Sequence, residues 1–289
     1  MKRRTVLGLA GGAVSTTLLG AIAAAPQGAA RAASRKAAAF DPADPDQLAL
    51  AFRKLAHSLD DSLTWWWLHG TRYGIVGSVA TPLWDMHVGT WLRTRDLPDG
   101  RYEVKSAGAN FYTLPGQTKL LERFANPYTG KTVDVPYGPP RASVTLYDRK
   151  GGSPFANFRM PGMKIGRQES DFGPAWVHDD EVMVRGDFML HAEPEDPSRP
   201  TFTVNDWSTY VGKLTDVVDP RVKNPPCAQD FNDILDFPAW LQMPGHPGTY
   251  YSRCFGRKAF RYEQMPAQWR TLFEGRLPQE AKDPGGLLA

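Results

Sequence analysis

Cysteine is nearly absent from this 289-residue chain, long apolar runs are confined to its N-terminus, and neither sign of charge dominates. Two cysteines, Cys227 and Cys254, cannot build the disulfide framework of a small secreted scaffold. They allow one bridge, closing a loop of about 27 residues and adding about 3 kcal/mol by chain entropy, or two separate buried thiols. Beyond the N-terminus nothing is apolar enough to span a bilayer as a helix. The common catalytic signatures are missing too: no G-x-S-x-G elbow, no H-E-x-x-H, no Walker loop, no G-x-G-x-x-G opening a helix after a strand. Serine hydrolase, zincin, P-loop and Rossmann chemistries are set aside on that ground. What is present is 42% hydrophobic and 22% charged residue, punctuated by 27 glycines and 25 prolines. That composition excludes disorder, collagen and coiled coil, and describes a turn-rich, strand-rich body able to bury a core.

The N-terminus reads as an address. Lys2, Arg3 and Arg4 precede an uncharged stretch from Val6 to Ala25, diluted by Gly8, Gly11, Gly12 and Gly20. A charged start before a mild apolar segment fits a twin-arginine export signal, and the glycines argue against a retained anchor. Cleavage is expected between Ala23 and Ala33, which makes residues 1–33 a signal peptide, the export machinery a partner and the location periplasmic or secreted. Loss of Lys2, Arg3, Arg4 and Arg31 leaves 30 basic residues against 31 acidic, a net charge of −1 in place of +3. A near-neutral body without a Lys/Arg cluster gives no footprint for nucleic acid. Passengers of this route fold before transport, which permits a cofactor without demanding one. None is expected here, and no metal.

Residues 34–43 read as a tether to a single domain over 44–280, with 281–289 as a tail. Asp44-Pro45-Asp46-Gln47 supplies a capping carboxylate, a proline for the first helical position and a glutamine that can reach back. Leu48, Phe52, Leu55, Ala56 and Leu59 then recur at helical spacing, predicting a helix over 45–59 with His57 in its last turn, where the dipole favours a cation. From Trp84 the pattern becomes short alternating segments: 84–95, 101–113, 117–125, 142–148, 181–191, 201–211 and 249–261. Asp99-Gly100 and Pro115-Gly116 mark turns. The absence of alternating helices argues against a parallel sheet. The expected fold is mainly β: an antiparallel β-barrel or strongly curled, lipocalin-like sheet with an N-terminal helix and a short C-terminal helix. That last helix, opened by Pro266 and carrying Trp269, Leu272 and Phe273, is expected to pack across a barrel end.

Candidate chemistry is scattered. His178-Asp179-Asp180-Glu181 is the nearest approach to a metal cluster, yet neighbours in an extended chain point to opposite faces, and a solvated turn explains it better. Glu181, Met183, Arg185, Asp187, Met189 and His191 share one strand face, which is either an ordinary solvent face or the lining of a ligand-holding interior. In the second case His191, with Asp187 two places away along the same face, is an oriented base. Tyr210, Tyr250 and Tyr251 are hydroxyl candidates, and Arg253 and Lys258 could hold an anion or phenolate. Nine tryptophans and ten tyrosines can line a pocket for flat ligands or fill a large core.

Three stretches together resemble a bacterial and fungal family known only as a domain of unknown function, number eighteen-thirty-eight. They are Asn126-Pro127-Tyr128-Thr129-Gly130-Lys131-Thr132-Val133-Asp134-Val135, the run Phe202–Leu214 with Trp207, Ser208 and Tyr210, and Ala239-Trp240-Leu241-Gln242-Met243-Pro244-Gly245-His246-Pro247-Gly248 with Gly256-Arg257-Lys258 and Met265-Pro266. Lys131 stands where the family pattern has glutamate, and Pro244 interrupts its Met-Gly pair. The resemblance implies an exported β-rich domain and supplies no reaction. Asn126-Pro127, Thr129-Gly130 and Pro247-Gly248 also read as turns, with Gly130 free to take a positive φ. From all this the sequence is expected to encode a cofactor-independent enzyme acting on a small aromatic, phenolic molecule, such as a lignin fragment, by acid/base elimination, lyase or isomerase chemistry. Tyr128, Tyr210 or His191 would exchange the proton, Arg253 or Lys258 would stabilise a phenolate, and Trp207, Trp240, Met243 and Tyr250 would hold the ring. The competing expectation is a periplasmic carrier for hydrophobic small molecules, and a metal or flavin protein loaded before export is a third.

Overall fold

The computed structural model describes residues 40–148, 163–197 and 201–289. The expected leader over 1–33 and residues 34–39 of the tether lie outside them. One antiparallel sheet of nine strands carries the fold, in the order β6-β3-β2-β1-β11-β10-β9-β8-β7. Its strands are β1 (Thr64–Val76), β2 (Val79–Asp96), β3 (Tyr102–Thr113), β6 (Ser143–Tyr147), β7 (Met163–His178), β8 (Glu181–Pro194), β9 (Phe202–Lys213), β10 (Ala228–Leu235) and β11 (Thr249–Ala259). A separate two-stranded hairpin pairs β4 (Arg123–Ala125) with β5 (Thr132–Asp134). The sheet curls into a half-barrel, with β6 and β7 as its edges.

Helix α1 (Pro45–Ala56) lies in the concave face, and its start is built as the sequence suggests. Asp44 Oδ1 accepts from the amides of Asp46 and Gln47, while the Gln47 side chain donates to Asp44 and accepts from the Asp41 amide. Phe52 and Leu55 are buried, each contributing about 1.5–3 kcal/mol by area. The Phe52 ring meets Tyr147 of edge strand β6 and Phe172 of edge strand β7, so α1 plugs one end of the groove and ties the two edges together. At the other end the β4–β5 hairpin and the 3₁₀ turn Ala239–Leu241 close over Trp84, Met86 and Tyr250. The Asn126–Lys131 turn is the tip of that hairpin: Gly130 has φ +69, Asn126 is buried, and its side-chain amide donates to the Leu241 carbonyl at 3.0 Å.

Several expectations change. The residue 281–289 segment is no loose tail: helix α4 (Pro278–Lys282) and a 3₁₀ turn from Pro284 to Leu288 pack it down, and Trp91 Nε1 donates to the Pro284 carbonyl at 2.7 Å. Helix α3 (Ala267–Arg276), which Pro266 does open, lies on the convex face of β2 and β3 rather than across an end. Its Trp269 ring covers Gly89 and donates to the Ala109 carbonyl at 3.0 Å. His57 caps α1, but as a neutral group: burial, then Lys258, holds its pKa down to about 3. The favourable cation is Lys258 itself, whose Nζ donates to the carbonyls of Lys54 and His57 at 2.7 Å. Of the strand expected at 117–125 only Arg123–Ala125 forms. Strands β1, β5, β7 and β10 had no sequence expectation. Cys227 and Cys254 are separate buried thiols, each pushed up to about 12 by burial. No helix among the described residues is long and apolar enough to cross a membrane.

Candidate functional site

The sheet register sets one row of side chains across the middle of the concave face. Arg72 of β1 pairs with Ser252 of β11, Ser252 with Asp233 of β10, Asp233 with Asp206 of β9, and Asp206 with Phe188 of β8. Alternation places all five on the same face. Trp66, Leu68, Val184, Tyr210 and Leu235 share that face, so the row is charge embedded in the core side of the sheet.

Arg72 and Asp233 form a buried ion pair at 2.5 Å, and the Ser252 amide adds a second donor to the same carboxylate oxygen at 2.9 Å. The Arg72 guanidinium lies 3.9 Å over the Tyr250 ring. Its Nε, and Trp84 Nε1 on the facing position of β2, have no hydrogen-bond partner. Directly across the ladder from Asp233 sits a second carboxyl, Asp206, with no hydrogen bond among the described residues. Burial first, and the Asp233 carboxylate second, raise its pKa to about 7 against the opposing pull of Arg72.

Asp206 lines a cavity of 270 Å³ between the two plugs of the groove. Phe52, Tyr147, Phe188 and Phe231 give it aromatic walls. Ser208 and Tyr210, next along β9 on the same face, supply hydroxyls. Gln229 Nε2 donates to Ser208 Oγ at 2.9 Å and to Tyr210 Oη at 3.4 Å. The Ser208 hydroxyl also bonds to Tyr210, which leaves the Tyr210 proton for an oxygen in the cavity. Burial raises the Tyr210 pKa, which keeps it a proton donor at neutral pH. Asp171 and Asp187 border the cavity as well, so the arrangement offers an acid/base group poised near neutrality, a neutral phenol donor and aromatic walls with an acidic margin.

Of the residues singled out in the sequence, Tyr210 lines this cavity, and Tyr250 lies beside it under Arg72. Lys258 is on the concave face, but beneath α1, where all three Nζ hydrogens meet oxygens of Lys54, His57 and Asn224. Tyr128, Trp240 and Met243 belong to the plug at the far end, with Tyr128 seated against Gly74, where a Cβ would not fit. His191, Arg253 and Trp207 lie on the convex face: His191 bonds Thr203 Oγ1 at 3.0 Å, and Trp207 is exposed. The face of β8 that carries Asp187 and His191 is therefore opposite the buried Val182, Val184 and Leu190. His178–Glu181 is the exposed β7–β8 turn, with Asp179 at φ +53. No group of three or more His, Cys, Asp or Glu that could hold a metal occurs among the described residues.

Sequence reasoning missed Arg72, Asp206 and Asp233. A signal did exist in β9: Val204, Asp206, Ser208 and Tyr210 alternate, which puts a carboxylate in phase with a core valine. For β1 and β10 there was no assigned strand to phase.

No family model, curated protein or solved structure matches the chain.

Proposed function

We propose that the concave cavity binds a small aromatic molecule with one ring and an oxygen substituent, and that Asp206 performs acid/base chemistry on it without a cofactor. The observation that carries this reading is an unpaired carboxyl with a pKa near 7 on the wall of an aromatic-lined enclosure. At 270 Å³ the cavity is at the small end of ligand sites, which begin at about 300 Å³, so a single substituted ring suits it better than a dimer. Elimination is the reaction class that uses every group present. Asp206, as carboxylate, takes the proton from carbon, and the released electron pair forms the new double bond as the bond to the leaving oxygen breaks. The Tyr210 hydroxyl, itself bonded by Ser208, donates to the oxygen on which charge develops, and Asp206 returns its proton to the leaving group. Isomerisation uses the same proton, returned to a different carbon. Asp233, clamped by Arg72 and the Ser252 amide, is a positioning residue that holds Asp206 near neutrality. The leader read in the sequence, with its paired arginines, supports a periplasmic or secreted setting for this activity.

The test is to incubate the mature chain, with no added cofactor, with single-ring phenols and phenolic dimers, following ultraviolet absorbance and product mass. The expected result is a mass change, such as loss of water or formaldehyde, among single-ring compounds. Asp206→Asn should lower turnover by about 10²–10⁴-fold while binding persists. Tight binding with unchanged mass would replace the enzyme by a carrier for the same molecules.

A further inference from the structure

The convex face carries a larger opening that the concave chemistry does not use. It is a slot of 490 Å³ between the outer side of β1–β2 and the start of α3, walled by Trp67, Trp269 and Pro266. Into it face two histidines, His69 and His87, directly paired across β1 and β2 with ring centroids 4.8 Å apart. His87 is buried and its Nε2 lies 3.2 Å from Thr113 Oγ1, while His69 is exposed at the mouth.

We propose that this slot is a second binding site, for a flat aromatic molecule of two linked rings bearing one hydroxyl, which lies along Trp67 and the edge of Trp269 and bonds through that hydroxyl to the His69–His87 pair. Three features support it. Trp269 spends its indole N–H on the Ala109 carbonyl and stacks its ring on Phe273, so what little of it reaches the slot is an apolar edge, and half-buried Trp67 supplies the ring surface. Imidazoles are the slot's one titratable cluster, and an apolar cavity with a few convergent polar groups is the usual form of a small-molecule site. Where Nε2 of His87 gives its proton to Thr113, Nδ1 is left as an acceptor, the partner a phenol needs. Burial first, then His69, holds the His87 pKa down to about 4, so the ring is neutral at physiological pH. A metal suits the place less well. No third His, Cys, Asp or Glu joins the pair among the described residues, leaving an ion with two protein ligands and apolar walls.

The experiment is a titration of the full-length protein with biphenyl-4-ol, read by calorimetry and by the histidine ring signals in NMR, with biphenyl and zinc(II) as separate titrants. The expected result is saturable binding of biphenyl-4-ol that moves the His69 and His87 signals and is about tenfold weaker for biphenyl, for His69→Ala and for His87→Gln. His69 is exposed, so its removal should leave folding intact, and His87→Gln retains a group that can bond Thr113. Asp206→Asn should leave this binding unchanged, which separates it from the concave cavity. The proposal is overturned if biphenyl-4-ol leaves both histidine signals in place. It is equally overturned if Asp206→Asn abolishes the binding while His69→Ala does not, or if zinc(II) alone binds the pair tightly and excludes the phenol.

Discussion

Lys258 and Arg72 are both buried cations on the same concave face, carried by adjacent strands, and they end in opposite situations. Lys258 has no carboxylate beside it. Its three hydrogens meet three oxygens, two of them carbonyls at the end of α1, and nothing is left over for a ligand. Lys54 repeats the device from α1, donating to the carbonyls of Val217 and Asp219 at 2.7 Å beyond the short helix α2 (Leu214–Val218). Arg72 sits beside the carboxylate of Asp233 and still has an idle Nε, and β9, next to the strand of Asp233, contributes one carboxyl more than Arg72 can neutralise. Burying charge is costly in either case. Buried charge alone therefore does not mark a site. The mark is a polar inventory that does not close, because an open valence buried beside a cavity is what a ligand can complete.

The largest effect should come from breaking the charged row. Asp233→Ala leaves Arg72 uncompensated and the Ser252 amide without its acceptor, and should cost about 3–5 kcal/mol in urea unfolding. A loss below about 1 kcal/mol would mean that Asp206 takes over the pairing, and the contrast with Lys258 would collapse. Lys258→Met is the matching experiment at the closed site. It strips the donor from three oxygens yet also removes a buried ammonium, whose pKa burial already lowers to about 7. The balance should be a smaller loss of about 2 kcal/mol, with ligand binding in the cavity unaffected.

How much of this could be read from the sequence follows the same division. The α1 start was legible because capping is local: Asp44, Pro45 and Gln47 act within four residues. Hairpin turns at Asp99-Gly100 and Pro115-Gly116 were legible for the same reason, and Gly100 and Gly116 both have positive φ. Strand β1 was not, because its concave positions read Trp66, Leu68, Gly70, Arg72 and Gly74, with no apolar alternation. Gly70 is there because a Cβ would strike the Arg253 carbonyl of β11, and Gly74 because Tyr128 occupies its space. Strand β10 hid its phase by placing Gln229 and Asp233 inside. The residues that build the candidate site are thus the same ones that erased the strand pattern, and aromatic content drew attention instead to Trp207 and Trp240, one exposed outside and one in a plug.

Titration sharpens the comparison next. The Asp206 pKa is raised from 3.8 to about 7 on folding, so the folded chain holds this proton more tightly than the unfolded chain does. Stability from this group is full below about pH 4 and lost as pH rises to 7. The whole shift corresponds to at most about 4 kcal/mol, and the exposure of Asp206 to the cavity reduces that to about 1–2 kcal/mol. Asp206→Asn should therefore be more stable than the parent by about 1–2 kcal/mol at pH 8 and nearly equal to it at pH 4, while losing turnover. Unfolding curves at both pH values check this, and equal gains at both would show that the carboxyl is not the strained group.

The smallest effect is expected from a third cation and carboxylate, on the other side of the same sheet. Arg185 Nε and Asp187 Oδ2 approach to 3.1 Å on the convex face of β8, the face that also carries His191. Here too the polar inventory is incomplete, since Asp187 Oδ1 has no partner, and burial again raises the carboxyl pKa. What differs is exposure of the pair as a whole: the two side chains are 40% and 29% accessible, so water screens the ion pair although Asp187 Oδ1 itself is buried. Asp187 also borders the cavity, so Asp187→Asn should shift stability by no more than about 0.5 kcal/mol and lower turnover far less than Asp206→Asn does. Thermal unfolding and the phenol assay decide it together. A loss of turnover comparable to that of Asp206→Asn would move the reacting carboxyl to the convex side and make His191 its partner. A rate close to the parent's would show that a carboxylate beside an arginine, four positions from a histidine, carries no chemistry from the convex face of the strand.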